Sequence, residues 1–338
     1  MLRLPTFQVL TPETVAEALA LLAEHGEDAL LIAGGTDLVP NMKHELFTPK
    51  VVISLQGIDG LNGIRKEGDS LVIGAMTSLD VVAANELVLA QAPALAQAAS
   101  LIAGPQLRRM GTLGGNVMLD TRCQWYNQTY FWRSALGFCM KKDGTVCHVV
   151  QGGSKCVAAA SNDSAPALMT LGAHLVFEGS AGQRTLPIDE LWVSDGIYNK
   201  SSRGEVLTEI RIPRGSANQR GAYGKLRERG SIDFPMLGIA VRLSLSPAGA
   251  VEDADICAVA LQAKPTRLKG VAELLRGKSP GTADFVAAVE LVAQLAKKRL
   301  RPLENIPGDA QWRQAMTAVY TRRTLLAAAD NSGPVHHI

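Results

Sequence analysis

No apolar stretch in this chain is long enough to cross a bilayer, and the amino terminus, Met1-Leu-Arg-Leu-Pro5, lacks the apolar core of a secretion signal. A cytoplasmic location away from membranes is therefore expected. Basic blocks are also missing. The formal charge is only +2, and the tightest grouping, Arg313 with Arg322 and Arg323, reads as one solvated helix face, so no nucleic-acid partner is expected. Histidine is scarce, and His25, His44, His148, His174, His336 and His337 form no convincing catalytic set; only His148, beside Cys147, stands out. Neither a GxGxxG fingerprint nor a GxxxxGK[ST] loop occurs, which disfavours the usual dinucleotide and nucleoside-triphosphate folds. With five cysteines and a reducing compartment, a disulfide framework is unlikely to apply, and clustered thiols point to metal or redox duty.

What remains is an ordinary globular composition, 47% hydrophobic and 20% charged, in 338 residues, a length that calls for more than one core. Thr11-Pro12-Glu13 reads as the start of a helix whose apolar positions Val15, Leu19 and Leu22 recur at helical spacing, with Gly26 as its stop. Short strands follow at Ala29 to Ile32, Val51 to Ile53 and Leu71 to Ile73. A second unit, from about 56, holds a helix over Pro93 to Ile102, the turn at 111–116, a helix over Pro166 to Leu171 and a strand over Val206 to Ile212. From about 217, strand-like stretches at 222–229, 237–245 and 254–261 precede helices near 267–276 and 283–299. The reading is α+β, divided 1–55, 56–215 and 217–330, with no internal repeat.

Two glycine turns carry candidate chemistry. In the first, a buried strand enters Gly34-Gly35-Thr36, a pattern that brings main-chain N–H groups and a hydroxyl close to an anion. The second, Thr112-Leu-Gly114-Gly115-Asn116, repeats that pattern, and two such loops suit a pyrophosphate; the alternative for each is a plain turn before a helix.

Residues 118–157 fit no unit. No helix or strand period persists there, yet the segment holds Cys123, Cys139, Cys147 and Cys156, separated by fifteen, seven and eight residues. Four thiolates suit either zinc or a [4Fe–4S] cluster, and spacing alone leaves both open, although no pair is as close as structural zinc sites favour. Trp125, Tyr126, Tyr130, Phe131, Trp132 and Phe138 could wrap a cluster, or form a satellite core. Arg122, Arg133, Lys141, Lys142 and Lys155 could offset its charge. Cys257 lies in an apolar strand pattern and reads as core.

Ile32-Ala-Gly-Gly-Thr-Asp-Leu38, Ile53-Ser-Leu-Gln-Gly-Ile-Asp59, Ile73-Gly-Ala-Met-Thr77, Gly111-Thr-Leu-Gly-Gly-Asn116 and Asn162-Asp163-Ser-Ala-Pro-Ala167, with Lys225 and Asp233 further on, resemble in register the FAD-binding subunit of the xanthine oxidase, or molybdenum hydroxylase, family. The resemblance covers nearly the whole chain. It implies a two-subdomain FAD domain of the PCMH type, followed by an antiparallel sheet with helices like the C-terminal domain of the CO dehydrogenase flavoprotein. It places Leu31, Ile32, Ala33, Gly34, Gly35, Thr36, Asp37 and Leu38, with Thr112, Gly114, Gly115 and Asn116, against the FAD diphosphate and ribityl arm. Asp163 is placed at a flavin-side hydroxyl, Ile102 and Leu207 as apolar contacts to the ring system, and Lys225 near the ring, where a cation favours the anionic reduced form. A surface strand lysine is the alternative for Lys225.

Asp120-Thr-Arg-Cys123, Tyr126-Asn-Gln128, Trp132-Arg-Ser134 and Cys147-His-Val149 are similar to the insertion in the flavin subunit of 4-hydroxybenzoyl-CoA reductase, which carries a [4Fe–4S] cluster on four cysteines. The residues around Ser161-Asn162 depart from the family's common Ser-Asp pattern. The resemblance implies an electron-transfer subunit with FAD and a [4Fe–4S] cluster. Its partners would be a small subunit with [2Fe–2S] clusters and a large subunit with the molybdenum cofactor, assembled as a dimer of heterotrimers. The expected reaction is reductive dehydroxylation of an aromatic CoA thioester, with ferredoxin as a possible donor. The alternatives are an oxidative hydroxylase of xanthine or CO dehydrogenase type and a zinc-stabilised nucleotide-binding protein.

Overall fold

The computed structural model describes residues 2–336; Met1, His337 and Ile338 lie outside the described residues. Three sheets follow one another along the chain. The first is parallel, with strands β1 (Gln8–Leu10), β2 (Ala29–Ile32) and β3 (Val51–Ser54) in the order β1-β3-β2. Parallel neighbours need crossovers, and helices Val15–His25 and Leu38–Lys43 lie in the connections. The first helix begins later than the Thr11-Pro12 signal suggests. Thr14 is its cap, accepting from Glu17 N at 3.1 Å, while the Glu17 carboxylate accepts from Glu13 N at 2.8 Å. A serine-or-threonine capping pair with glutamate three residues on thus outweighs the upstream proline.

The second sheet is antiparallel: β4 (Ile64–Glu67), β5 (Ser70–Gly74), β6 (His174–Gly179), β7 (Gly182–Pro187) and β8 (Glu205–Pro213), in the order β4-β5-β8-β6-β7. Its helices include Pro93–Leu101, Leu113–Val117 and Ser164–Thr170. The last of these is buried at every position, and Ser164 at its start is held by Asn116 Oδ1.

The third sheet, β9 (Gln219–Leu226), β10 (Leu237–Leu245), β11 (Val251–Val259) and β12 (Thr266–Arg267), is antiparallel with order β12-β11-β10-β9. Alternate residues of a strand face opposite sides, and here both sides are covered. Tyr223, Ala240 and Cys257 join the core of the second unit, whereas Ala222, Ile239, Val241 and Ile256 join a core completed by helices Ala283–Arg299 and Ala310–Asp330. The second and third units are therefore packed face to face through one sheet. Gly224 lets the last helix lie directly on β9, because a Cβ there would lie 2.2 Å from Thr324 Oγ1. Arg313, on the long last helix, is fully buried and donates to the carbonyls of Met236 and Leu303, which corrects its placement on a solvated face.

Residues 118–157 contain one short helix, Tyr130–Leu136, where no periodicity announced one. Thr129 caps it and Gly137, at φ 90°, ends it. No helix among the described residues is long and apolar enough to cross a membrane.

Candidate functional site

A cavity of about 530 Å³ opens where β2 runs into residues 33–37, at the carboxyl end of the parallel sheet. Every residue that the sequence reading assigned to FAD, except Lys225, lines it. The first glycine turn is built for close approach. A Cβ on Gly34 would fall 1.7 Å from the Met110 carbonyl oxygen, and Gly35 adopts φ 71°, a region costly to residues with a Cβ. Among the described residues, the N–H groups of Gly34, Gly35, Thr36 and Asp37 have no hydrogen-bond acceptor. Four successive donors without protein partners, at the mouth of a cavity, form an anion cradle.

The second turn is different in where its main-chain donors go. Leu113 N donates to Thr77 O, Gly114 N to Ala75 O, Gly115 N to Thr112 Oγ1 and Asn116 N to Thr112 O, at 2.8–3.0 Å. These donors are engaged inside the protein and offer nothing to a phosphate. The glycines serve packing instead, since a Cβ on Gly114 would sit 2.7 Å from both Ala75 Cβ and its carbonyl oxygen. Thr112, Gly114, Gly115 and Asn116 still form cavity wall, but as a surface rather than a second cradle.

Ile102 and Leu207 give the cavity apolar wall, as anticipated. Asp163 also lines it, yet its carboxylate is held from behind: Tyr223 OH donates to Oδ1 at 2.8 Å and Lys225 Nζ to Oδ2 at 3.1 Å. Lys225 is neither a surface lysine nor a wall residue. Its side chain is fully buried, and the ammonium also donates to Leu101 O and Asp233 O. It therefore acts on the cavity through Asp163 and through the segment that carries Asp233. Of that segment the sequence singled out Asp233 alone, and gave it no place in the cavity wall. Ile232, Asp233 and Phe234 complete the wall from the third unit, tethered by Ile232 N and Ser231 Oγ to the carbonyl of Ala103 and by Arg227 to Asp233.

The charge of the wall is mainly negative: Asp37, Asp120, Asp163, Glu205 and Asp233 against the exposed Arg203. Burial raises the Asp37 carboxyl above its ordinary value, and Arg122, paired at 3.1 Å, opposes that shift. The same guanidinium lies 3.8 Å from the centre of the Phe234 ring.

One residue beyond Arg122 the cysteine segment begins. Cys123, Cys139 and Cys156 are buried in one apolar cluster with Leu46 and Tyr126, while Cys147 is partly exposed. Burial pushes the Cys123 thiol up to about 12, and charge repulsion from Cys156, Cys139 and Cys147 adds to that shift. Among the described residues no three metal-ligating side chains converge on a single ion. A tetrahedral zinc site holds each sulfur at about 2.3 Å from one centre, whereas a cluster binds each sulfur to a different iron and needs a wider set. Three of the four thiols share one apolar cluster, and thiolate donors suit either group. Cys257 is remote, fully buried and beside Met169.

The surroundings divide. Tyr126 is buried with the thiols and the ring of Trp125 lies 5.7 Å from that of His148, whose Nε2 lies 2.6 Å from Phe138 O. Phe131 is 82% exposed, and Tyr130, at 48%, packs its ring against Phe138 with the centroids 5.6 Å apart. Of the cations, Arg133 and Lys141 are buried, and Lys155 is exposed.

Comparison with known proteins places this geometry in context. Residues 5–215 match the model of the FAD binding domain in molybdopterin dehydrogenase, and residues 222–328 that of the CO dehydrogenase flavoprotein C-terminal domain. The carbon monoxide dehydrogenase medium chain of Hydrogenophaga pseudoflava is 33% identical over 96% of this chain and 97% of its own length. That of Afipia carboxidovorans is 30% identical over 95% and 96%. The structure of the Hydrogenophaga pseudoflava enzyme lacking the Mo-pyranopterin moiety superposes with a TM-score of 0.79 at 31% identity, covering 98% of this chain and all of that one.

Proposed function

The chain belongs to the family of FAD-binding subunits of molybdenum hydroxylases, and on that premise we infer that it is the electron-transfer subunit of a CO dehydrogenase-type complex. The observation that carries this reading is the run of four unpartnered N–H groups at 34–37, opening on a cavity with apolar walls at Ile102 and Leu207. When bound, FAD supplies passage between two-electron and one-electron carriers. The residues of this chain hold it: the amides of 34–37 receive the diphosphate, Ile102 and Leu207 bound the ring system, and Asp163, fixed by Tyr223 and Lys225, accepts from a hydroxyl. Substrate chemistry belongs to a large subunit with the molybdenum cofactor, reached through a small subunit with [2Fe–2S] clusters, in a cytoplasmic dimer of heterotrimers. The divisions 1–55, 56–215 and 217–330 are adopted as its units.

The relatives favour the oxidative alternative over the reductive reading drawn from the sequence, because the chain aligns over its whole length with medium chains of carbon monoxide dehydrogenases. In that direction electrons leave through FAD to an acceptor. The cysteine segment supports a second reading. Cys123, Cys139, Cys147 and Cys156 hold a [4Fe–4S] cluster, and the complex resembles 4-hydroxybenzoyl-CoA reductase, with electrons entering from a donor such as ferredoxin.

The purified complex decides among these. One FAD per chain, with iron in excess of the small subunit's [2Fe–2S] content, is expected. Serine at any of the four cysteines should remove that excess and leave FAD bound, while Cys257→Ser keeps both. A chain without flavin sinks the main reading. Unchanged iron in all four variants removes the cluster, and zinc in its place restores the structural-metal alternative.

A further inference from the structure

Between the flavin cavity and the cysteines lies Lys141, which the sequence marks only as one of five cations near the thiols. The Lys141 ammonium is only 5% exposed and has no solvent-facing role. It donates to Asp120 Oδ1 at 2.8 Å, to Thr121 O at 2.8 Å and to Gly196 O at 2.9 Å, and lies 4.6 Å from the centre of the Tyr126 ring. One end of this arrangement belongs to the cavity, because Asp120 is part of its wall. The other belongs to the thiols. Gly196 N donates to Cys156 O at 2.8 Å, a Cβ on Gly196 would lie 2.8 Å from Cys156 Sγ, and Tyr126 shares the apolar cluster of Cys123, Cys139 and Cys156.

A buried cation with one partner in each site gives both sites the same charge to respond to. We propose that Lys141 is the coupling residue of this subunit: it neutralises Asp120 beside the anionic flavin cofactor and holds a positive charge beside the cysteine-bound cluster, so that flavin affinity and cluster potential are set together. The inference rests on the cluster reading above for its second half only. No bond forms or breaks at Lys141. An electron entering the cluster adds one negative charge, which a fixed nearby cation stabilises, and the electron comes from or goes to the flavin.

The signs are opposite for the two partners, which separates a charge effect from loss of packing. Lys141→Gln removes the cation bonded to Asp120, leaving only the more distant Arg122 charge to offset it, and should weaken FAD binding roughly tenfold, the effect of about one unit charge at a partly solvated distance. It should also move the cluster's midpoint potential to more negative values. Asp120→Asn should leave FAD binding at least as tight and move the potential positive, because Lys141 then acts undiluted. Lys141→Arg should keep both properties near wild type. The double variant Lys141→Gln/Asp120→Asn should recover most of the lost FAD affinity, as coupled neighbours do.

FAD affinity is read by flavin fluorescence on the full chain, and the potential by electron paramagnetic resonance during a redox titration of the complex. Equal FAD affinity in wild type and Lys141→Gln, or a double variant no better than Lys141→Gln, overturns the flavin half. Potential shifts of the same sign in Lys141→Gln and Asp120→Asn overturn the cluster half. Should Lys141→Gln not fold, Asp120→Asn decides alone: a positive shift supports the proposal and an unchanged potential overturns it. Wild-type complex without the extra iron overturns the cluster reading and the cluster half with it, and the FAD affinities then judge the flavin half separately.

Discussion

At residues 34–35 and again at 114–115 the chain places two adjacent glycines at the edge of one cavity, the first pair between a strand and a helix and the second within the first turn of the helix Leu113–Val117. The N–H groups of the first turn have no partner among the described residues, whereas those of the second are engaged by Thr77, Ala75 and Thr112. Glycine is needed in both, against the Met110 carbonyl in one and against Ala75 in the other. The pattern of glycines thus identifies a place where backbone comes close to something. Whether that something is a ligand or the protein's own chain depends on where the donors go, and that is decided by the strands the turn packs against.

The comparison can be broken by substitution. Gly35→Asp is expected to abolish FAD retention, because a carboxylate enters the cradle, while the fold loses about 1–2 kcal/mol for a side chain at positive φ. FAD content and the urea midpoint of the same preparation check this; normal flavin content refutes the cradle. Gly114→Ala should act in reverse, costing about 1–3 kcal/mol of stability through its clash with Ala75. Flavin loss there without loss of stability would show that the second turn is a cradle after all. Thr112→Ala removes the cap that accepts from Gly115 N at 3.0 Å and should cost ~1 kcal/mol, with Thr112→Ser recovering most of it in thermal melts. Gly115→Ala is the mildest change. Its Cβ meets only Thr112 Oγ1 closely, so stability should move by less than about 1 kcal/mol in either direction.

Where local signals and tertiary packing agree, the sequence was readable. Strand β10 and the helix Ala283–Arg299 lie where apolar periodicity puts them, and the β2 turn is legible because strand, glycines and hydroxyl are contiguous. The helix Ala310–Asp330 was visible only as a basic face. Its buried side interleaves Arg313, Thr317, Thr321 and Thr324 with Ala318, Tyr320, Leu325 and Ala328, and polar residues break what would otherwise read as an apolar stripe. The hairpin of β6 and β7 escaped because Gly182–Pro187 is mostly exposed and polar. At the site, the place of residues 232–234 in the wall was missed for a different reason: no local pattern marks a loop that becomes cavity wall only when the third sheet docks. Lys225 was recognised by resemblance, but its burial behind Asp163 depends on that same docking.

That docking sets an order of events on the ribosome. The cradle at 34–37 leaves the exit tunnel first and the cysteines follow, but the wall formed by Ile232, Asp233 and Phe234, and the Lys225 that steadies Asp163, are still unmade when both are already outside. Synthesis must pass the third sheet before the cavity closes. The nascent chain completes its flavin cavity late, as a nearly finished polypeptide, and one halted near residue 215 would carry the cradle without the wall of Ile232, Asp233 and Phe234 and without the Lys225 behind Asp163.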